Sequence, residues 1–254
     1  MEIKLEDMEK FEAFKNIKII PNCYVIARLD GKGFSKLTES MKLEKPFDSK
    51  FKEAMIESIK GLIKETGAIL GFFESDEISL LFRNDTDFFK RRLEKLNSVL
   101  PSILTSECMS QDIFKGFKPV FDCRILICPT KEDVFNVFRW RQNDSLRNSL
   151  SGFAFWELVK AGESCKTATK ILQNKKASFK QDLLFNKFGI NFNDVESWKK
   201  NGTFLFFKEV EKKGINPKTN KPVDFIRNII TEISKEFPDS KTFFKELNLE
   251  IDLL

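Results

Sequence analysis

The sequence predicts an α+β fold in which four antiparallel strands and two helices follow one another in the order β-α-β-β-α-β. Three observations lead to this prediction. Short apolar runs are rich in β-branched and aromatic residues, two longer segments carry apolar residues at helical spacing, and Gly, Pro or Asp stands at most of the breaks between them. A chain with this order forms an antiparallel sheet with both helices on one face.

The first strand is predicted for residues 23–29, an apolar run that stops at an acid and two glycines. A helix follows, with Asp48 as its N-cap and Gly67 at its end. Two apolar runs, residues 68–73 and 78–82, then flank a short polar stretch, and this pattern predicts a β-hairpin.

A second helix is predicted from Thr86 onward, kinked or divided by Pro101, and a strand is predicted for residues 121–128. This order is the plan of a polymerase-type palm, a ferredoxin-like βαββαβ sheet, which we assign to residues 1–130. Residues 131–254 are expected to form a mainly helical part that packs on the palm as one compact unit. Its elements are predicted as helices at 131–160, 167–173 and 225–237, a strand at 203–207 and a loop at 214–222.

The chain of 254 residues contains no histidine. This excludes Ser-His-Asp hydrolysis, Cys-His proteases and His-ligated zinc, so chemistry must rest on carboxylates, Lys, Arg, hydroxyls or oxygen-bound metals. The net charge of +5 is compatible with a polyanionic partner. The five cysteines form no CxxC pair and suggest buried thiols. Since no signal, transit or transmembrane segment is recognisable, we expect a cytoplasmic protein with no membrane partner.

Acidic residues interrupt the predicted sheet at two places, Asp30 after the first strand and Glu74-Ser75-Asp76-Glu77 in the hairpin turn. Because these strands are neighbours in a β-α-β-β order, Asp30 is expected beside Asp76. Two carboxylates so close repel each other unless a cation lies between them. Oxygen ligands suit Mg²⁺, and pairs of such ions serve phosphoryl and nucleotidyl transfer. The alternative interpretation is a simple turn and a solvated hairpin tip.

Three further stretches are candidates for binding. Gly31 and Gly33 would let backbone N–H groups approach a triphosphate, although GKGFSK is not a Walker A loop. The basic residues 90–92, with Lys95 one turn later, suit phosphate, but they also suit an ordinary wet helix face. Residues 140–144, WRQND, are polar where a core helix would be apolar, so they are expected to line a cleft or an oligomer interface.

Taken in order, the motifs of about residues 20–210 resemble the tRNA-His guanylyltransferase superfamily, including its guanylyltransferase-like branch of 3′-to-5′ RNA polymerases. The motifs are RLDGKGFS, EKPFDSK, GFFESDEISLLF, FFKRR, FDCRILICP, RWRQNDSLRNSL, KQDLLFNKFGINFN and KKNGTFLF. Several motifs in a consistent order make this resemblance far more specific than any one of them alone.

The resemblance implies a palm joined to a helical part that serves tRNA binding and assembly, usually into a homotetramer. It implies two Mg²⁺ ions held by Asp30, Asp76 and the carbonyl of Gly31, with Glu77 as a further catalytic acid that supports the site. Together with Lys95, the expected contacts to nucleotide or RNA phosphates are Asp30, Gly31, Lys32, Gly33, Phe34, Ser35, Lys45, Ser75, Asp76, Lys90, Arg91, Arg92 and Arg124.

The reaction that the resemblance implies extends the 5′ end of a tRNA, with ATP, GTP and other NTPs as substrates. ATP first adenylylates a 5′-monophosphate, and the 3′-hydroxyl of an incoming nucleotide then attacks this end, so that AMP leaves. An end that already bears a triphosphate releases pyrophosphate instead. Each step is a phosphoryl transfer, which agrees with the chemistry expected of the paired carboxylates.

Two departures from the family pattern narrow the prediction. Dedicated tRNA-His enzymes usually have His in place of Ser35, and a His-Ile-Asn-Asn motif in place of residues 146–149, of which Asn148 alone survives. Those histidines are associated with recognising tRNA-His and with activating the 5′-monophosphate. We therefore expect template-directed repair of 5′-truncated tRNA. The alternatives are a dedicated tRNA-His guanylyltransferase, a nucleotidyl cyclase or signalling palm, and an RNA-binding protein that only retains the palm.

Overall fold

The computed structural model describes residues 8–9, 11–15, 17–215 and 220–249. The strands are β1 Tyr24–Gly31, β2 Leu70–Glu74, β3 Glu77–Phe82, β4 Phe121–Cys128, β5 Thr203–Ile215 and β6 Pro222–Ile233. The helices are α1 Phe34–Ser40, α2 Ser49–Thr66, α3 Leu93–Met109, α4 Lys131–Lys160, α5 Cys165–Leu172, α6 Ala177–Phe188, α7 Ser197–Asn201 and α8 Ser240–Glu246. None of the helices within these ranges is long and apolar enough to cross a membrane.

The strands form one antiparallel sheet in the order β4-β1-β3-β2-β5-β6. Its first four strands have the order expected of a ferredoxin-like palm, and the predicted α+β class is confirmed. The predicted ends of α2 are also observed. The side chain of Asp48 caps its N-terminus, and Gly67 ends it in the left-handed region at φ 71°. The sheet is wider than predicted, since β5 and β6 extend it beyond the palm.

Both faces of the sheet are covered. On one face, β1 residues such as Ala27 pack with Met55 of α2 and Leu100 of α3. On the other face, Ile26 of the same strand packs with Phe138 of α4. Successive residues of a strand point to opposite faces, so this arrangement also fixes where the polar residues at the end of β1 point.

The structure corrects several expectations. Residues 225–237 do not form a helix, because 222–233 pair with β5 along their whole length. The second palm helix begins at Leu93 rather than Thr86, and α3 continues through Pro101 without being divided. The expected loop at 214–222 is shortened by strand residues at both ends, and residues 216–219 lie outside the described part.

The segment before α3 holds a buried arginine. Phe89, Lys90 and Arg91 all have positive φ, between 52° and 56°, a conformation that is costly for non-glycine residues. The guanidinium of Arg91 uses all five of its N–H donors, at distances of 2.7–3.3 Å. The acceptors are the backbone carbonyls of Ile19, Ile20, Cys23, Asn84 and Thr86. Arg91 therefore ties the chain before β1 to the chain after β3.

Replacing Arg91 with Met should lower the free energy of unfolding by about 3 kcal/mol, because buried carbonyls would lose a charged donor. Urea denaturation of both proteins measures this difference. Lys90→Met is the matched control: its side chain is exposed, and its effect should stay within about 0.5 kcal/mol. Equal stability of the two variants would contradict the structural role of Arg91.

Candidate active site

A row of four carboxylates crosses the sheet at the end of β1. Asp122 of β4 lies opposite Asp30, Asp30 opposite Glu77 of β3, and Glu77 opposite Glu74 of β2. Directly opposite residues point to the same face, and this face is the one covered by α4. Like charges in such positions destabilise a sheet, so each acid requires something that offsets its charge.

Asp76 lies in the β2–β3 turn, next to this row. The turn is tight because Ser75 adopts the left-handed region at φ 55°. A Cβ atom added to Gly31 would lie 2.8 Å from Oδ2 of Asp76 and 2.3 Å from the ring of Phe34, so only glycine fits beside this carboxylate. Burial, followed by the charge of Asp30, raises the pKa of Asp76 to about 6. The structure thus brings Asp30, Gly31 and Asp76 together as predicted.

Glu77 is offset by two arginines. Its Oε1 lies 2.5 Å from Nε of Arg141 on α4, and its Oε2 lies 3.9 Å from Nε of Arg28 on β1. The first contact is a close ion pair, and the second is too long for a hydrogen bond. Burial raises the pKa of Glu77, and the charges of Arg141 and Arg28 oppose this rise. The catalytic acid predicted at Glu77 therefore faces cations supplied by the protein itself.

The negative charge of Glu74 is avoided in a different way. Its side chain is buried, and burial raises its pKa to about 8, while Arg141 and a hydrogen bond from Asn148 act in the opposite direction. At neutral pH this acid is therefore largely protonated and adds little to the repulsion. Asn148 is the residue that survives from the family's Asn-containing motif, and here its contact is with the sheet.

The negative charges of Asp30 and Asp76 are not offset by a described arginine or lysine in this way. Among the described residues, no Lys or Arg nitrogen lies within 4 Å of either carboxylate. No group of three or more His, Cys, Asp or Glu side chains in the described ranges could hold a metal ion. A cation at Asp30 and Asp76 would therefore complete its ligand sphere with backbone oxygens, water or phosphate. This donor set fits Mg²⁺, which keeps several waters and shares substrate phosphates.

Two adjoining cavities open beside Asp76. One, of about 350 Å³, is lined by residues including Ser35, Ser75, Asp76 and Cys165. The other, of about 230 Å³, has aromatic walls from Phe47, Trp156 and Trp198. Cavities of this size and mixed lining suit small ligands with an aromatic ring and charged groups.

Lys45 and Trp156 belong to both cavities. The Lys45 ammonium donates a hydrogen bond to Thr38 Oγ1 at 2.6 Å and lies 5.8 Å from the Trp156 ring centre. Burial lowers the pKa of Lys45, and nearby acids including Asp76 limit this effect. The site therefore joins the carboxylate of Asp76, the ammonium of Lys45 and aromatic surface.

Comparison with known proteins bears directly on this arrangement. The family model described as tRNAHis guanylyltransferase matches residues 5–129, and a second model, the C-terminal domain of the same family, matches residues 132–241. The chain belongs to the tRNAHis guanylyltransferase family. It is a nucleotidyltransferase of that family.

Individual members of the family agree in sequence and fold. The tRNA(His) guanylyltransferase of Candida glabrata is 32% identical over 213 residues, 80% of this chain and 89% of that protein. A bacterial tRNA(His) guanylyltransferase-like protein in complex with ATP is 31% identical, with a TM-score of 0.69, over 79% of this chain and 87% of the other. A bacterial protein of the same description, in complex with GTP, covers 98% of both chains at 26% identity and a TM-score of 0.70.

The other predicted residues of this family member lie in several places. Ser35, Lys45 and Ser75 line the cavities, while Phe34 packs in the core with one face on the larger cavity. The backbone N–H of Lys32 donates to the carbonyl of Val120, so it is not free for a triphosphate. Gly33 begins α1 in the left-handed region.

The basic residues need a partial correction. Arg91 cannot bind phosphate, because every N–H of its buried guanidinium is already used. Its contact with Cys23 also places residues 90–95 at the start of β1, about 20 Å along the strand from Asp30. Lys90, Arg92 and Lys95 thus remain predictions for RNA contacts away from the carboxylates. Arg124, by contrast, lies on β4 opposite Arg28, two residues along the strands from the acidic row and on the same face.

Two features of the enzyme's site had only weak signals in the sequence. The stretch at 140–144 indicated a cleft, and the structure shows Arg141 beneath the carboxylate row. The aromatic walls, Trp156 and Trp198, come from distant parts of the chain and had no recognisable spacing. The change from apolar Val134 and Phe138 to Arg141 at helical spacing is the signal that could have identified this residue.

Gly31→Ala should reduce nucleotidyl transfer by at least about 100-fold, because the added methyl group would displace the Asp76 carboxylate or the Phe34 ring. Steady-state rates of the purified variant measure this loss. Gly116→Ala controls for the strain of replacing a glycine away from the site: its φ of 82° disfavours alanine, but its Cβ would meet no atom within 4 Å, so its rate should stay near that of the wild type. Wild-type activity in Gly31→Ala would show that the glycine is not required by the site.

Proposed function

We propose that this enzyme adds nucleotides to the 5′ end of tRNA in the 3′-to-5′ direction, directed by the opposite strand, and so repairs 5′-truncated tRNA. The observation that carries the proposal is the pair of neighbouring carboxylates, Asp30 and Asp76, which form no ion pair with a described Lys or Arg. Asp76 also lines a cavity of nucleotide size. Binding alone would not require such a costly pair. An enzyme that binds metal ions and substrate phosphates at these two carboxylates does require the pair.

Asp30, Asp76 and the backbone carbonyl of Gly31 would hold two Mg²⁺ ions. When bound, these ions neutralise phosphate charge and activate the attacking oxygen of an in-line phosphoryl transfer. The chain's own residues prepare the substrate. Lys45 offers a positive charge to a phosphate that enters the larger cavity, and the hydroxyl groups of Ser35 and Ser75 can donate hydrogen bonds there.

The nucleotide substrates are proposed to be ATP, GTP and the other NTPs. Two bacterial relatives of known structure, described above, are complexes with ATP and with GTP. In this chain, the rings of Trp156 and Trp198 provide stacking surface for a base in the smaller cavity. ATP would adenylylate a 5′-monophosphate, whereas a 5′-triphosphate needs no activation.

The absence of histidine favours the repair reaction over dedicated guanylylation. Ser35 lines the larger cavity, so the side chain that replaces the family's histidine lies where substrate phosphates would enter. Leu146 replaces a second histidine and is exposed on α4. Neither side chain can exchange a proton near neutral pH as imidazole does. Dedicated addition of one guanylate to tRNA-His is the second candidate, because the C. glabrata relative carries that name.

The remaining parts of the proposal concern assembly and cellular location. We place tRNA binding on the helical part, where exposed lysines recur along α5 and α6. A homotetramer and a division into residues 1–130 and 131–254 are retained as predictions. All five cysteines are free thiols, which fits the reducing cytoplasm that we propose as its location.

Asp76→Asn should lower the rate of 5′ addition by about a thousandfold, since it removes one of the metal carboxylates. Filter binding should show that affinity for tRNA changes less than about twofold. Asp112→Asn is the matched control, because that acid is exposed, pairs with Lys115 and lies outside the cavities. Near-normal addition by Asp76→Asn would reject the site assignment.

The substrate prediction is tested with a tRNA that lacks its first 5′ nucleotide, in 5′-monophosphate and 5′-triphosphate forms, with Mg²⁺, ATP and each NTP in turn. We expect addition only of the nucleotide that pairs with the acceptor strand. The triphosphate form should react faster, because it does not need the adenylylation step that this chain would perform without histidine. Addition of G regardless of the opposite base would favour the dedicated enzyme. No extension, or cyclic products from NTP alone, would favour the binding or signalling alternatives.

A further inference from the structure

Arg141 forms an ion pair between α4 and the acidic row. Its side chain is 5% exposed, although it carries a full positive charge. Its Nε lies 2.5 Å from Oε1 of Glu77, and its Nη2 lies 2.8 Å from Oδ2 of Asp144, one helical turn further along. Its guanidinium also stacks 4.6 Å from the ring centre of Trp140. One buried group therefore connects the palm hairpin to the long helix.

The position of Glu77 means that its ion pair with Arg141 affects the geometry of the site. Glu77 follows Asp76 in the chain and lies opposite both Asp30 and Glu74. If Arg141 were absent, Glu77 would retain only the longer 3.9 Å contact with Arg28. Repulsion from Asp30 would then favour another rotamer or a shifted turn, and the turn carries Asp76.

Arg141 itself does not meet the substrate. It lines neither of the cavities beside Asp76, and its burial leaves no route to a ligand. Its partner Asp144 is held from the other side by Arg147, so the arginine cannot rotate away without leaving that acid short of a partner. These contacts describe a fixed support rather than a reacting group.

We propose that Arg141 is a positioning residue for nucleotidyl transfer: it keeps Glu77 in an ion pair and thereby fixes the hairpin turn that carries Asp76. The inference rests on the proposed assignment of Asp30 and Asp76 as the reacting site. It predicts that the contribution of Arg141 to catalysis acts through Glu77 and disappears when Glu77 no longer carries a charge.

A double-mutant cycle tests this coupling. Arg141→Met should lower kcat by about 100-fold while KM for the NTP changes less than about threefold, because the residue does not touch the nucleotide. In a Glu77→Gln background, the same substitution should change kcat by less than about threefold. Arg141→Lys retains the charge, so its kcat should be at least about tenfold higher than that of Arg141→Met. Arg139→Met, an exposed arginine on the same helix, is the matched control and should retain wild-type kcat.

A second measurement does not depend on activity. Hydrogen–deuterium exchange of peptides that cover residues 70–82 should accelerate by about tenfold or more in Arg141→Met and remain unchanged in Arg139→Met. Circular dichroism and size-exclusion chromatography establish that each variant is folded before either comparison. If Arg141→Met does not fold, the double variant Arg141→Met/Glu77→Gln, which removes both charges of the ion pair, should fold and show kcat equal to Glu77→Gln alone.

Three results would overturn the inference. Additive losses in the double-mutant cycle would mean that Arg141 does not act through Glu77. A raised KM with unchanged kcat would make it a substrate contact, and lower thermal stability with normal kcat and normal exchange would make it a structural residue only. If wild-type enzyme fails to extend any tRNA, the proposed function fails, while the exchange experiment still decides whether Arg141 fixes the turn.

Discussion

Repulsion among carboxylates is the constraint on which the rest of this structure depends. Asp122, Asp30, Glu77 and Glu74 lie side by side across four strands, and Asp76 joins them from the turn. The protein offsets the charges of Asp122, Glu77 and Glu74 in ordinary ways: exposure beside Arg124, ion pairs with arginines, and protonation in a buried environment, respectively. Asp30 and Asp76 form no ion pair with any Lys or Arg in the part of the chain that the structure describes, and this selective omission is what marks the site.

The same constraint explains how the helical part contacts the palm. The sheet face with the acids needs a cover that is apolar at one end and polar at the other. Helix α4 provides both: Val134 and Phe138 pack on the sheet near the start of β1, and Arg141 reaches the acids further along. Gln142 adds hydrogen bonds to the carbonyls of Asn201 and Lys235, which link α7 and the end of β6 to the same helix.

The sequence predicted what depends on local patterns and on chemistry that few residue types can perform. The palm strands, the caps of α2 and the meeting of Asp30 with Asp76 follow from alternation, capping residues and strand order. Strand β6 was misread because Ile226, Ile229, Ile230 and Ile233 also repeat at helical spacing, and only pairing with β5 decides between the two. Arg91 was misread because a basic run shows charge but not burial. Nothing local reveals the buried state of Glu74.

The carbonyls bound by Arg91 have a consequence for the order of folding. Three of them lie 68–72 residues away in the chain, so their bonds close one of the long loops of the palm. The guanidinium finds its acceptors only after β1 and β3 have paired and placed both flanking segments at the same end of the sheet. Such late contacts contribute little to the folding transition state. We therefore expect Arg91 to slow unfolding more than it accelerates folding, and so to prolong the lifetime of the native enzyme.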